Sequence, residues 1–126
     1  MATAVDLPQV IQGGMGVAVS NWTLARAVSQ AGQLGVVSGT ALDLVVARRL
    51  QNGDEGGHLR RALGHFPIPA IAERVLDRYF VEGGKAADQP YVPIPRMAVR
   101  QTRALQELGV VGAFAEVWLA KEGHGG

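Results

Sequence analysis

The stretch "VIQGGMGVAV", residues 10–19, decides how the first third of this chain is interpreted. Its apolar run stops at Gln12, and three glycines follow within the next four positions. Because glycine loses the most conformational freedom on folding, such a cluster indicates a sharp bend or a backbone that lies close to another group. The sequence leaves three candidates for that feature: a phosphate, a flat cofactor ring, or simply a tight turn.

The composition predicts one folded domain without a nucleic-acid or membrane partner. The 126 residues are enough for a core, and 48% hydrophobic and 18% charged residues are ordinary for a folded protein. A net charge of +1 provides no field to gather nucleic acid. No run approaches the ~20 apolar residues of a membrane span, and the N-terminus lacks the pattern of a signal peptide. Because the chain has no cysteine, we expect a cytoplasmic protein.

A strand, a helix and a second strand are predicted within residues 8–40. Residues 9–12 form a short apolar run bounded by Pro8 and Gly13, and residues 34–40 form a β-branched run that ends in "SGT". Strand, helix and strand within about thirty residues are typical of a right-handed βαβ unit with parallel strands.

The helix between these strands has its own start and stop signals. The side chain of Ser20 or Asn21 can accept a free backbone N–H at the start of the helix. Gly32 suits the left-handed residue that often follows a helix. The predicted apolar face of this helix consists of Leu24, Ala27, Val28 and Ala31.

Residues 41–123 are predicted to be mostly helical, with apolar residues at helical spacing in four stretches. Pro67 and Pro69 separate the second stretch from the third. Residues 81–98 carry two glycines and three prolines and predict an irregular surface loop. Residues 110–118 fit either a strand or a buried helix, and we favour the helix. The stretches are marked by Leu42, Val45, Val46 and Leu50; Leu59, Ala62, Leu63 and Phe66; Ile71, Val75 and Tyr79; and Ala104, Leu108, Val111, Ala115 and Trp118.

The glycine loop fits three interpretations. A dinucleotide site needs G-x-G-x-x-G and an acidic residue about 20 positions later, but Val19 replaces the third glycine and no acid ends the second strand. In a plain turn, Gly13 and Gly14 would make the bend and Met15 would fill the core. At the carboxyl end of a barrel strand, the glycine backbone and Met15 would lie against a flat ring.

Residues 8–40 resemble the opening of a known enzyme family. The motifs "PQVIQGGMG" and "LARAVSQAGQLGVVSGT" are similar to those of the nitronate monooxygenases, once called 2-nitropropane dioxygenases, and of the related flavin-dependent enoyl reductases. The resemblance implies an α/β fold that is the N-terminal part of a (β/α)8 TIM barrel. Residues 8–40 would supply its first two strands, and residues 41–123 would form a helix-rich insertion after the second strand.

The resemblance also implies a cofactor, substrates and a binding site. Enzymes of this family use FMN to oxidise alkyl nitronates with dioxygen, which gives a carbonyl compound and nitrite. Residues 13–15 correspond to the backbone that lies against the flavin ring, and residues 38–40 correspond to the second strand end. The implied cofactor-binding residues are Gly13, Gly14, Met15, Ser38, Gly39 and Thr40.

The chain is shorter than the barrel that the resemblance implies. A TIM barrel takes ~250 residues, so we interpret the 126 residues as a partial domain, an N-terminal fragment without nitronate turnover of its own. No catalytic residue is assigned, because "KEGHGG" at residues 121–126 lacks the second glycine that precedes the histidine of the family, and it fits a polar turn. His58 and His65 are interpreted as surface or partly buried side chains, not as metal ligands.

Two parallel strands would leave an unpaired apolar edge. We therefore expect that edge to be covered by the remainder of the barrel or by another copy of the chain in a homo-oligomer. Two other functions stay open. One is a flavin-dependent enoyl reductase of the same superfamily, and the other is a non-catalytic helical module in which residues 41–123 pack as a bundle that binds another protein.

Overall fold

Helices supply the regular structure of this protein. The structure, a computed structural model, describes residues 6–96 and 99–126. Within these residues the elements are α1 (Trp22–Gln30), α2 (Leu42–Gln51), a 3₁₀ turn (Glu55–Gly57), α3 (His58–Leu63), α4 (Pro69–Tyr79) and α5 (Arg103–Lys121). The helices predicted from apolar spacing are confirmed, and α5 decides the ambiguity at residues 110–118 in favour of the helix.

The predicted α/β fold is wrong, because the described part of the chain contains no β-sheet and does not look like the start of a TIM barrel. The two predicted strands meet only in an isolated parallel bridge between Ile11 and Leu34. The Gln12 N–H donates to Leu34 O at 3.0 Å, and the Leu34 N–H donates to Val10 O at 3.1 Å. Two backbone bonds are too few for a strand ladder, so residues 8–40 form two loops around a helix.

Side-chain amides end the backbone pairing on both sides of the bridge. The Gln12 amide binds both the N–H and the C=O of Val36, each at 3.0 Å. The Gln33 Oε1 accepts from the N–H groups of Gln9 and Val10 at 3.0 and 2.8 Å. Because these backbone groups have side-chain partners, the pairing does not extend into a sheet.

The predicted helix boundaries are confirmed where a capping signal defines them. The Asn21 side chain accepts from the Leu24 N–H at 3.1 Å at the start of α1. Gly32, two residues past the end of α1, has the expected positive φ of 79°. Pro69 occupies the first position of α4, where its missing N–H costs the helix nothing.

One hydrophobic core lies between α2, α3, α4 and α5, and α5 packs against each of the other four helices. The rings of Phe66 and Phe114 meet edge-on there, with centroids 5.2 Å apart. All buried members of this core lie between positions 42 and 119. Predicted core residues that are buried are Leu42, Val46, Leu50, Leu59, Ala62, Leu63, Phe66, Val75, Tyr79, Leu108, Val111 and Ala115.

The apolar face predicted for α1 is not its buried face. Ala25 is the buried residue of α1, whereas Leu24 and Val28 are half-buried and Ala27 and Ala31 are exposed. The reason is that α1 lies against α5, and in the described part of the chain no sheet covers its other side.

Residues 81–96 form the irregular loop that their glycines and prolines predict, and the last two residues of that prediction, 97–98, lie outside the described residues. The buried Gln51 of α2 donates to Val92 O at 3.2 Å and accepts from the Val92 N–H at 2.6 Å. This pair of bonds holds the loop against the helical core.

Gly112 lets α5 approach α2 closely. A Cβ at Gly112 would lie 3.0 Å from Val46 Cγ2 and 3.3 Å from Leu42 Cγ. We expect Gly112→Val to overfill this contact and to lower the free energy of unfolding by about 2 kcal/mol, as measured by urea denaturation. Gly109→Val is the matched control on the same helix, because a Cβ there would have no neighbour within 4 Å. Equal losses in the two variants would contradict this explanation.

Candidate functional site

The residues of the predicted flavin pocket lie in two neighbouring loops, which together we call the glycine cluster. Residues 13–15 belong to the loop before α1, and residues 38–40 belong to the loop before α2. Ser38 is buried, and the other five residues are exposed. The cluster consists of Gly13, Gly14, Met15, Ser38, Gly39 and Thr40. The structure therefore brings the two predicted parts of the site together.

Ser20 fixes the shape of the first loop. Its buried hydroxyl accepts from the Met15 N–H at 2.8 Å and donates to Gly13 O at 3.1 Å. The Gln12 amide donates to the same hydroxyl at 3.0 Å. These bonds give the glycine loop a defined conformation despite the freedom of its backbone.

Ser38 joins the second loop to the first. Its N–H donates to Ser20 O at 2.8 Å, and its hydroxyl donates to Gly16 O at 2.7 Å. A Cβ on Gly14 would lie 3.5 Å from Val36 Cγ1 and 3.7 Å from Ser38 Cα. The space between the two loops at Gly14 would therefore be filled by a single methyl group.

Gly13 and Gly39 present bare backbone on the outside of the cluster. A Cβ built on either glycine would have no neighbour within 4 Å among the described residues. Neither residue has a positive φ, so a side chain would not be strained at either position. Packing and conformation within the described chain do not require glycine at these positions. The bare backbone at Gly13 and Gly39 leaves room for an external group to approach closely.

The chemistry of the cluster is that of a neutral surface. Residues 7–42 hold one charged side chain, Arg26. Its guanidinium is used at the end of α5, where it donates to Leu119 O at 3.2 Å. The cluster can contact a ligand through backbone groups, two hydroxyls and the Met15 thioether. It offers no cation for a phosphate and no side chain for general acid–base catalysis.

Sequence reasoning missed Glu116, a buried carboxylate in α5. Glu116 is 1% exposed and accepts from the Trp22 N–H, in the first turn of α1, at 2.7 Å. Arg49 of α2 forms an ion pair with its other oxygen. Glu116 therefore positions the start of α1, directly after the glycine loop. The sequence signal was a single carboxylate within the apolar stretch "AFAEVWLA".

A polar cleft of about 290 Å³ lies beside this ion pair. Trp22, Arg49 and His58 form part of its wall, and the Trp22 and His58 rings are 5.0 Å apart. His65 stacks on Trp118 instead, with ring centroids 4.6 Å apart. The two histidines therefore have separate aromatic partners. Within residues 6–96 and 99–126, no three metal-ligating side chains come together.

The "KEGHGG" stretch forms the polar turn that the sequence predicts after the last helix. The Nε2–H of His124 donates to Ala120 O at 2.6 Å, and Nδ1 accepts from the Gly126 N–H at 3.1 Å. Gly123 has a φ of +74°, as expected for a residue that ends a helix. His124 thus acts as a cap for α5.

The resolved pKa shifts belong to ion pairs outside the glycine cluster. The hydrogen bond from Arg61 lowers the pKa of Glu122, and the hydrogen bond from Arg74 lowers the pKa of Glu107. The same bond to Glu122 raises the pKa of Arg61. The lowered carboxyl pKa values mean that these pairs stabilise the fold at neutral pH and lose that contribution as the pH falls through them. Because the arginine of each pair is exposed, the contribution is small.

No protein-family model, curated protein or solved structure matches this chain. The resemblance of residues 8–40 to the nitronate monooxygenases therefore stays a prediction. In the part of the chain that the structure describes, no helix is both long and apolar enough to cross a bilayer.

Glu116 provides a test of how α1 is held. Glu116→Ala removes the partner of the Trp22 N–H and of the Arg49 guanidinium. We expect the free energy of unfolding to fall by about 3 kcal/mol, because the loss of one partner leaves a charge and a donor unpaired. Urea denaturation followed by circular dichroism measures this change.

The matched control is Glu107→Ala, also in α5, which removes a half-buried carboxylate whose two ion-pair partners, Arg74 and Arg103, are exposed. Exposed pairs contribute little, so this variant should change stability far less. If the loss in Glu116→Ala were no larger than that in Glu107→Ala, Glu116 would not be the anchor of α1.

Proposed function

We propose that the glycine cluster binds the flat ring of FMN, and that the chain functions in a flavin-dependent oxidoreductase that resembles the nitronate monooxygenases. The observation that supports this most is the bare backbone at Gly13 and Gly39, which the packing of the described chain does not require. The cluster also exposes Met15 on a surface without charged side chains. A planar, polarizable ring is complementary to such a surface.

The residues of this chain would bind and orient the ring. Gly13 and Gly14 would supply the backbone against which it lies, and Met15 would add a polarizable thioether contact. Residues 38–40 would line the same pocket from the second loop, with Ser20 holding the first loop in place. The chemistry that FMN supplies when bound is electron transfer from an alkyl nitronate to dioxygen, with a carbonyl compound and nitrite as products.

The proposal assigns the ring of FMN, not its phosphate, to the cluster. Proteins bind phosphates with backbone N–H groups and with Lys or Arg side chains, and the cluster contains no cation. We therefore expect this chain by itself to bind FMN weakly and to show no nitronate turnover. A cytoplasmic location belongs to the same proposal, since a chain without cysteine fits a reducing compartment.

A non-catalytic helical module that binds another protein is the second candidate. The observation that favours it is the position of the core, whose buried members all lie between positions 42 and 119. The helices that follow the glycine cluster therefore pack together without it. A folded chain that does not bind FMN would support this second function.

Flavin fluorescence tests the first candidate. We expect a saturable change when the protein is added to free FMN at concentrations up to about 100 µM, which detects a Kd of that order. Gly39→Ala should weaken binding roughly tenfold, because its methyl group separates the ring from the backbone. Gly125→Ala is the matched control: a Cβ there also has no neighbour within 4 Å, and the position lies outside the cluster.

Two results would contradict the proposal. One is an unchanged FMN fluorescence with the unaltered chain, and the other is an equal loss of binding in the Gly39 and Gly125 variants. A separate assay addresses turnover: the FMN-loaded chain should form no more nitrite from an alkyl nitronate than free FMN does. Robust nitrite formation would overturn the expectation that this chain lacks the catalytic groups.

A further inference from the structure

The loops around α1 expose an unusual share of large apolar side chains. Seven of the thirteen exposed large hydrophobic residues of the described chain lie within residues 7–34. Val10 and Ile11 are 56% and 63% exposed, although neighbouring side chains of an extended segment point to opposite faces. Both faces of the segment are therefore open at Val10 and Ile11.

The same segment has an open backbone edge. The Val10 C=O and the Gln12 N–H both bond to Leu34, so the N–H and C=O of Ile11 between them point to the other side. Neither group of Ile11 has a hydrogen-bond partner among the described residues. Within residues 9–13, Ile11 alone has both backbone groups unbonded. A strand that pairs with this edge would therefore centre on Ile11.

Little on this edge disfavours pairing with another strand. Natural edge strands are commonly protected by charged side chains or by proline. Here Pro8 precedes the segment, and no charged residue occurs between Asp6 and Arg26. An edge that recognised a strand of a different protein through charge would carry charged side chains of the opposite sign. A neutral apolar edge is complementary to a second copy of itself.

We propose that two copies of this chain associate through this edge, with Ile11 opposite Ile11 of the partner subunit. Like edges related by a two-fold axis pair antiparallel, and the interface is self-complementary. Directly opposed residues in a hydrogen-bonded antiparallel pair exchange both of their N–H and C=O bonds. Pairing therefore satisfies the two open groups of Ile11 and removes apolar side chains on both faces from water. This inference does not depend on FMN binding.

Single cysteines test the register. The chain has no cysteine, so Ile11→Cys introduces one thiol whose Cα would lie about 5.5 Å from that of its symmetry mate, within the range of a disulfide. Leu7→Cys is the matched control, because it is 83% exposed but would lie roughly 27 Å from its mate, at ~3.4 Å per residue. We expect mild oxidation to convert most of the Ile11→Cys protein, and little of the Leu7→Cys protein, to covalent dimer.

A charge substitution tests the interface without a covalent bond. We expect analytical ultracentrifugation to show a concentration-dependent dimer of the unaltered chain, and Ile11→Lys to shift it to monomer because like charges then face each other. Val110→Lys is the matched control, since Val110 is 59% exposed on α5 and should leave the dimer intact. Circular dichroism checks the fold of each variant. If Ile11→Lys loses helix content, the comparison of Ile11→Cys with Leu7→Cys tests the interface by itself.

Three outcomes would overturn the proposal. The first is an unaltered chain that stays monomeric at protein concentrations up to about 200 µM, because a weak dimer interface has a Kd of about that size or below. The second is equal cross-linking of the two cysteine variants. The third is a dimer that Val110→Lys dissociates and Ile11→Lys does not, which would place the interface on α5.

Discussion

The arrangement of the N-terminal third depends on the buried carboxylate of Glu116. A charge that is removed from water needs close partners, and Glu116 has them in the Trp22 N–H of α1 and the Arg49 guanidinium of α2. The apolar contribution of α1 is limited to the buried Ala25 and to Trp22, which packs partly buried against the core. Polar contacts with α5 therefore add to this packing in fixing where α1 lies, and the favourable interaction of a carboxylate with a helix N-terminus strengthens them.

The position of α1 in turn determines where its two flanking loops meet. The loops are ordered by hydrogen bonds of Gln12, Ser20 and Ser38 rather than by apolar packing. The consequence is that the apolar side chains of this region stay on the outside, while the polar ones turn inward. Such an inversion of the usual pattern is typical of a surface that another molecule covers.

The sequence predicts the helices well because their spacing and caps are local. The predicted strands did not form, because an apolar run becomes a strand only if its backbone N–H and C=O groups are free to pair with another strand. Here the side-chain amides of Gln12 and Gln33 bind some of these backbone groups instead. No periodicity signals that competition. The single parallel bridge between Ile11 and Leu34, together with the bonds of Ser38 to Gly16 and Ser20, nevertheless brings the two glycine-bearing loops together. Glu116 was missed because apolar periodicity carries no information about a carboxylate on a buried face.

The two proposed uses of this surface are physically compatible. In an antiparallel pair centred on Ile11, Gly13 of one copy lies opposite Gln9 of the partner subunit, and the next two residues on the partner's side, Pro8 and Leu7 of the partner subunit, are uncharged. A flat ring at Gly13 would then gain a second neutral wall, which the single chain does not provide. If both proposals hold, pairing strengthens ring binding and ring binding strengthens pairing by the same factor, as linkage requires. The weak binding expected for one chain then has two causes, the absence of a cation for the phosphate and the absence of this second wall, and the open apolar edge marks where the second wall would be added.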